Sequence, residues 1–217
     1  MGELFELVIA GGPVVAILLL CSILATAISL LKSWQLWLMR ARPHANAERA
    51  LHHLRQNERN QAALMLNNSQ NPRAQLVKQT IGLLDKTSLT IDEVRNESMR
   101  IARVSMAKLT SFLRPLEVIA ATAPLLGLLG TVLGMIEAFR AMESAGAQVN
   151  PAILSGGIWQ ALLTTAVGLA VAIPTSIVHS WFERRAEREA AAMQDALDQV
   201  FTLEAARRDL GESKKIA

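Results

Sequence analysis

The sequence predicts an all-α membrane protein: three transmembrane helices, with long cytoplasmic helical extensions of spans two and three. Three observations carry this prediction. Apolar residues make up 51% of the chain and gather in long blocks. The Lys, Arg, Asp and Glu residues stay out of those blocks and crowd the stretches between them. Tyr is absent, Phe is scarce, and Ala, Leu, Met, Arg and Glu set a helix-forming character throughout.

The first block runs from Val8 to Leu31 without a charge. At 1.5 Å per residue it reaches about 36 Å, enough to cross a hydrocarbon core with some tilt. The residues before it are acidic (Glu3, Glu6), and the block is long for a leader peptide, so a retained span is expected. The second block, Val118 to Ile136, is bounded by Glu117 and Glu137. The third runs from Ile158 to Phe182 and stops at Glu183-Arg184-Arg185. Each is long enough to span, and no soluble core of matching size is expected to bury it.

Basic residues set the orientation. They are absent before the first block and frequent from Lys32 to Arg114. Only Arg140 lies between the second and third blocks, and they are frequent again from Arg184 to Lys215. The N-terminus is therefore expected outside and the C-terminus inside. This divides the chain into a periplasmic tail (1–7), span one (8–31), a cytoplasmic helical region (32–117), span two (118–136), a periplasmic loop (137–157), span three (158–182), and a cytoplasmic helix and tail (183–217). Trp34, Trp37 and Trp181 fall at the expected cytoplasmic interface, where indoles prefer to sit. The small basic excess is thus explained by topology rather than by nucleic acid, and the bilayer is the expected surrounding.

Between spans one and two, Asn67 to Pro72 is a cluster of turn residues. Thr90 with Glu93 has the spacing of a capping box. Beyond it Met99, Ala102, Met106, Leu109, Leu113 and Leu116 recur at helical spacing, with a bend expected at Pro115. In the tail, Ala186, Ala190, Met193, Leu197 and Val200 share a face.

The spans carry small and mildly polar groups. Gly127, Gly130 and Gly134 in span two, and Gly168 in span three, are expected to let helices approach closely. Thr131 in span two, with Gln160, Thr164 and Thr165 in span three, are candidates for a polar path. Packing alone is the other reading of the threonines, since a membrane Thr readily bonds its own helix. No Asp, Glu, Lys or Arg lies within the three expected spans. A proton relay commonly needs a titrating group, so another chain would have to supply it. The single Cys21 forms no internal disulfide. His44, His52, His53 and His179 lack ligand spacing, so no metal or other cofactor is expected. No nucleophile, base or phosphate loop comes together, so an enzyme is not expected.

Three stretches resemble a known family. Leu4-Phe5-Glu6-Leu7 leading to Ala10-Gly11-Gly12-Pro13 resembles the start of ExbB-type proteins. Ala123 to Ile136 (APLLGLLGTVLGMI) resembles the second-span signature of the MotA/TolQ/ExbB proton-channel family. Gly157 to Pro174 (GIWQALLTTAVGLAVAIP) resembles its third-span signature. The resemblance implies a homopentamer in the bacterial inner membrane whose spans two and three line a pore. It implies an ExbD-like partner, two single-span helices in that pore, each with an aspartate. It also implies a TonB-like energy transducer for outer-membrane transport. Thr131 and Thr165 match the family's pore threonines. Gln160 falls where well-studied ExbB and TolQ members carry a glutamate, so what it offers is hydrogen bonds to water or a partner. A TolQ-like motor for envelope upkeep and a passive membrane scaffold are the alternative readings.

Overall fold

Helices form wherever the sequence offers uninterrupted helix formers, and glycine, proline or clusters of polar turn residues decide where they stop. The computed structural model describes residues 2–40, 45–56, 58–67, 69, 71–86, 89–145 and 151–216. The elements are α1 (Gly2–Arg40), α2 (Ala45–Arg55), α3 (Arg59–Leu66), α4 (Pro72–Leu84), α5 (Ile91–Thr110), α6 (Leu113–Ala145) and α7 (Pro151–Ile216). No strand occurs among the described residues. Three helical stretches are long and apolar enough to cross a membrane: Gly12–Leu36, Leu113–Ser144 and Leu154–Arg207.

Two departures from the expected layout have local causes. Span one was expected to run from Val8 to Leu31. Instead the backbone leaves helical geometry at Gly12 (φ 66°, ψ −165°), a conformation that suits glycine, and Pro13 follows. The bend expected at Pro115 falls at Ser111–Phe112, where Phe112 adopts φ 65° between α5 and α6. Pro115 explains the placement. Its ring collides with the carbonyl four residues back, that of Ser111, so a continuous helix is not available there. The side chains help close α5: Ser111 Oγ donates to Lys108 O at 2.7 Å and Thr110 Oγ1 to Met106 O at 3.2 Å.

The chain forms two compact units. The first joins Met1–Lys32 with Phe112–Phe182, and the second joins Ser33–Ser111 with Glu183–Ala217. In the first, α1 buries Val14, Val15, Leu18, Ala25 and Lys32 while Ile17, Leu20, Ile23, Leu30 and Leu31 stay exposed. Lys32 was placed at the start of a polar segment, yet it is only 3% exposed. The outward side chains of α6 and α7 are likewise large and apolar, among them Leu125, Leu128, Val132, Leu162, Leu169, Ile173 and Ile177. Water would tolerate such a surface poorly, and lipid is its natural solvent.

The second unit is built like a soluble domain. Ala47, Ala50 and Leu51 of α2, Ala62 and Leu66 of α3, Ala74, Val77 and Ile81 of α4, and Ala196 and Val200 of α7 form one core. Asn71 caps α4 by accepting from Arg73 N at 2.9 Å, with Pro72 in the first turn. Thr90 and Glu93 make the expected capping box at α5. The backbone N–H of Thr90, and then its hydroxyl, hold the Glu93 carboxyl below its ordinary pKa. Of the face expected on α5 and in the tail, Ala102, Leu109, Ala186, Met193, Leu197 and Val200 are buried, whereas Met106 is 37% exposed. Met99 and Met106 face Met193 and Leu197 across a groove of about 180 Å³. Trp34 and Trp181 are exposed. The side chain of Trp37, and His44, Asn68, Gln70 and 146–150, lie outside the described residues.

Candidate functional site: the seam between the second and third spans

Within the first unit α6 and α7 meet along a seam of small residues. The approach is so close that most of these positions have no room for a side chain. A Cβ placed on Gly127 would lie 3.1 Å from Thr165 Cα, and one on Gly168 would lie 2.8 Å from Ala123 O. A Cβ on Gly130 would meet Thr164 Cγ2 at 2.5 Å, and one on Gly134 would meet Ala161 Cβ at 3.1 Å. The seam continues past the expected span ends, since a Cβ on Gly157 would meet Ala138 Cβ at 2.6 Å. Ala138 was not singled out from the sequence. The signal was present in the four-residue step Gly130, Gly134, Ala138.

Two of the polar candidates, Thr164 and Thr165, lie at this seam, and the four are not equivalent. Thr164 is 2% exposed, lodged against Gly130, and its Oγ1 donates to its own helix at Gln160 O (2.9 Å) and Ala161 O (3.0 Å). Thr165 is half-buried and its Oγ1 donates across the seam to Gly127 O at 3.2 Å. Thr131 is half-buried and donates to Leu128 O of its own helix at 2.7 Å. Gln160 is half-buried near the other end of α7. Adjacent residues on a helix point about 100° apart, so Thr164 and Thr165 take different neighbours.

Electrostatically the seam is neutral. No residue from Val118 to Ile136, and none from Ile158 to Val178, carries a charge. Such a stretch offers hydrogen-bonding groups without a fixed charge. Among the described residues no three His, Cys, Asp or Glu side chains come together as metal ligands.

The fold and the seam together define an integral membrane protein whose second and third spans pack through glycine around a few hydroxyl groups. The model of the MotA/TolQ/ExbB proton channel family matches residues 68–195, more than half of the chain. The chain belongs to this family. It is 39% identical over 90 residues to biopolymer transport protein exbB1 of Vibrio cholerae, covering 42% of this chain and 40% of that protein. It is 36% identical over 100 residues to the Tol-Pal system protein TolQ of Pseudomonas aeruginosa, covering 44% of this chain and 43% of TolQ. An ExbB-like protein of Synechocystis is 28% identical over 209 residues, covering 96% of this chain and 98% of the relative. The matches to the Vibrio and Pseudomonas proteins thus take in about two fifths of each.

Proposed function

We propose that the chain is an ExbB-like subunit of a proton-driven motor in the bacterial inner membrane, with its N-terminus periplasmic and its C-terminus cytoplasmic. It assembles as a homopentamer around an ExbD-like pair of single-span helices. Their aspartates supply the carboxyl group that spans two and three of this chain lack. The work reaches a TonB-like protein and energises outer-membrane transport. Thr131, Gln160 and Thr165 line the path. Thr164 supports it from within the seam, and Gly127, Gly130, Gly134 and Gly168 set the spacing of the helices. The observation that carries this reading is the Thr165 hydroxyl bonded across the seam to Gly127 O, inside stretches of α6 and α7 that carry no charge.

A TolQ-like output, envelope maintenance, is the second reading, and the identity to TolQ favours keeping it. Native mass spectrometry of the complex from its own membranes tests both. A ring with a single-span partner bearing a membrane aspartate is expected, and that partner's periplasmic domain separates the outputs. A homo-oligomer with no such companion under several mild extractions would sink the motor in favour of a passive scaffold. Proton flux into liposomes holding the complex is the functional check. Thr131→Trp should abolish flux while the ring still assembles.

A further inference from the structure

The second unit exposes large apolar side chains in two places, Trp34 near the end of α1 aside. Leu64 (70% exposed) and Met65 (42%) lie on α3, and Val104 and Met106 lie on α5. The patch on α5 opens into the groove that α5 shares with α7. Met99, Ala102 and Met106 form one wall, and Ala190, Met193 and Leu197 form the other. The groove holds about 180 Å³, and a cavity of about 150 Å³ admits a benzene-sized group. It therefore has room for the end of one leucine or methionine side chain, and its methionine walls can shift to fit.

The patch on α3 protrudes instead. Ala62 and Leu66 enter the core, which turns Leu64 and Met65 outward on this short helix. Neither lines the groove of its own chain. Their exposed neighbours Gln61 and Asn67 are uncharged, while Arg103 and Asp198 edge the groove. A neutral knob brings no like charge against a rim that carries both signs.

Size decides what covers these patches. Each offers a few hundred Å² at most, whereas a free-standing interface needs about 1,200 Å². A freely diffusing partner gains too little here. A second copy already held in the same membrane ring meets the groove at a high effective concentration, where a small contact suffices. Two different patches on one chain make a heterologous contact, the kind that closes into a ring. We propose that Leu64 and Met65 of one copy seat in the α5–α7 groove of the next, joining the second units head to tail. This rests on the homo-oligomer proposed above.

The test uses the full chain in its own membranes, in a Cys21→Ala background. A tagged copy carries Leu64→Cys, an untagged copy carries Met106→Cys, and a bis-maleimide links neighbouring thiols. A mixed dimer is expected, and a chain with both cysteines should give a ladder up to the full ring. Either cysteine alone should give no dimer. If Met106→Cys does not assemble, Gln194→Cys on the other side of the groove takes its place with the same expected dimer. Leu64→Gln with Met65→Gln alters only exposed side chains. It should keep the helical content by circular dichroism and raise the dissociated fraction in native mass spectrometry about tenfold or more. A ring that stays intact without the mixed dimer overturns the proposal. So does a dimer linked Leu64→Cys to Leu64→Cys, or a Met106→Cys adduct to a different protein. An unmodified chain that is monomeric in native mass spectrometry overturns the assembly reading itself, and this inference with it.

Discussion

The single helix α7 is held in two opposite ways along its length. In the first unit it is held by what is missing. Gly168 and the facing Gly127 bring backbone to backbone, Gly130 makes room for the Thr164 side chain, and the hydroxyl of Thr165 fits because nothing is in its way. In the second unit it is held by what is present. Ala196 and Val200 enter a core of alanine and aliphatic side chains. Around that core each short helix sends an arginine to the stretch 195–204. Arg55 reaches Gln199, Arg59 reaches Glu204, Arg73 lies near Asp195, and Arg95 lies near Asp198 and over the ring of Phe201. The difference follows from the solvent. In lipid, apolar burial drives little association, so helices join by close van der Waals contact and hydrogen bonds. In water, burial drives the packing, and charged side chains finish the edges.

The sharpest way to break the comparison is to put the same kind of change in both regions. Gly168→Leu drives atoms into the Ala123 carbonyl, which is backbone and cannot step aside. The expected cost is about 3 kcal/mol or more, with loss of the assembled complex by native mass spectrometry and thermal melting. Gly130→Ala meets the Thr164 side chain instead and should cost about 1–3 kcal/mol. A Gly168→Leu variant that assembles and melts like the parent would show that the seam is not the element holding the spans.

In the second unit the matching test removes a side chain that is present. Arg59 links Glu204 of α7 to Asp85 (2.7 Å) at the end of α4. The Glu204 side chain is 10% exposed, so Arg59 faces a carboxylate largely withdrawn from water, with Arg207 a second cation 3.6 Å away. Arg59→Met should cost about 1–3 kcal/mol in chemical denaturation of the full chain. Arg95→Met should change little, about 0–1 kcal/mol, because its partner Asp198 is exposed. Equal costs for the two would mean that burial does not rank these ion pairs.

Gly82 of α4 completes the contrast. A Cβ there meets nothing within 4 Å. Gly82→Ala should stabilise the second unit by about 0.5–1 kcal/mol, the reverse of what alanine does in the seam.

Much of this was legible in the sequence because one cause acts at each position. Charge exclusion marked the spans, and Thr90 with Glu93 marked the start of α5. Other features depend on where neighbours lie. Thr164 and Thr165 are chemically identical and adjacent, so only the approach of α6 decides that one hydroxyl stays home and the other crosses. The break at Ser111–Phe112 was obscured because Phe112 adopts a left-handed backbone that phenylalanine rarely takes. Pro115 announced trouble nearby without fixing its position. Lys32 reads as a flanking cation from its place in the sequence, and only the packed structure reveals it as buried.

The smallest effect belongs to the start of α5, where the second unit uses a carboxylate as the seam uses a hydroxyl. Glu93 Oε2 accepts from Thr90 N at 2.8 Å, and Glu93 N donates to Thr90 Oγ1 at 3.3 Å. The carboxyl pKa is lowered chiefly by the backbone N–H of Thr90. A depressed acid contributes its stabilisation above its unfolded pKa and loses it as pH falls through the folded value. Amide hydrogen exchange in the first turn of α5, corrected for intrinsic rates, should therefore accelerate as pH drops below the ordinary carboxylate range. Glu93→Gln keeps an acceptor but removes the titration, so its first turn should exchange faster at neutral pH and respond less to acid. The seam has no titrating group of its own, so exchange across Gly127 to Gly134 should keep the same corrected rate over this range. Acid sensitivity at the seam and none at α5 would reverse the assignment of charge to one region and neutral packing to the other.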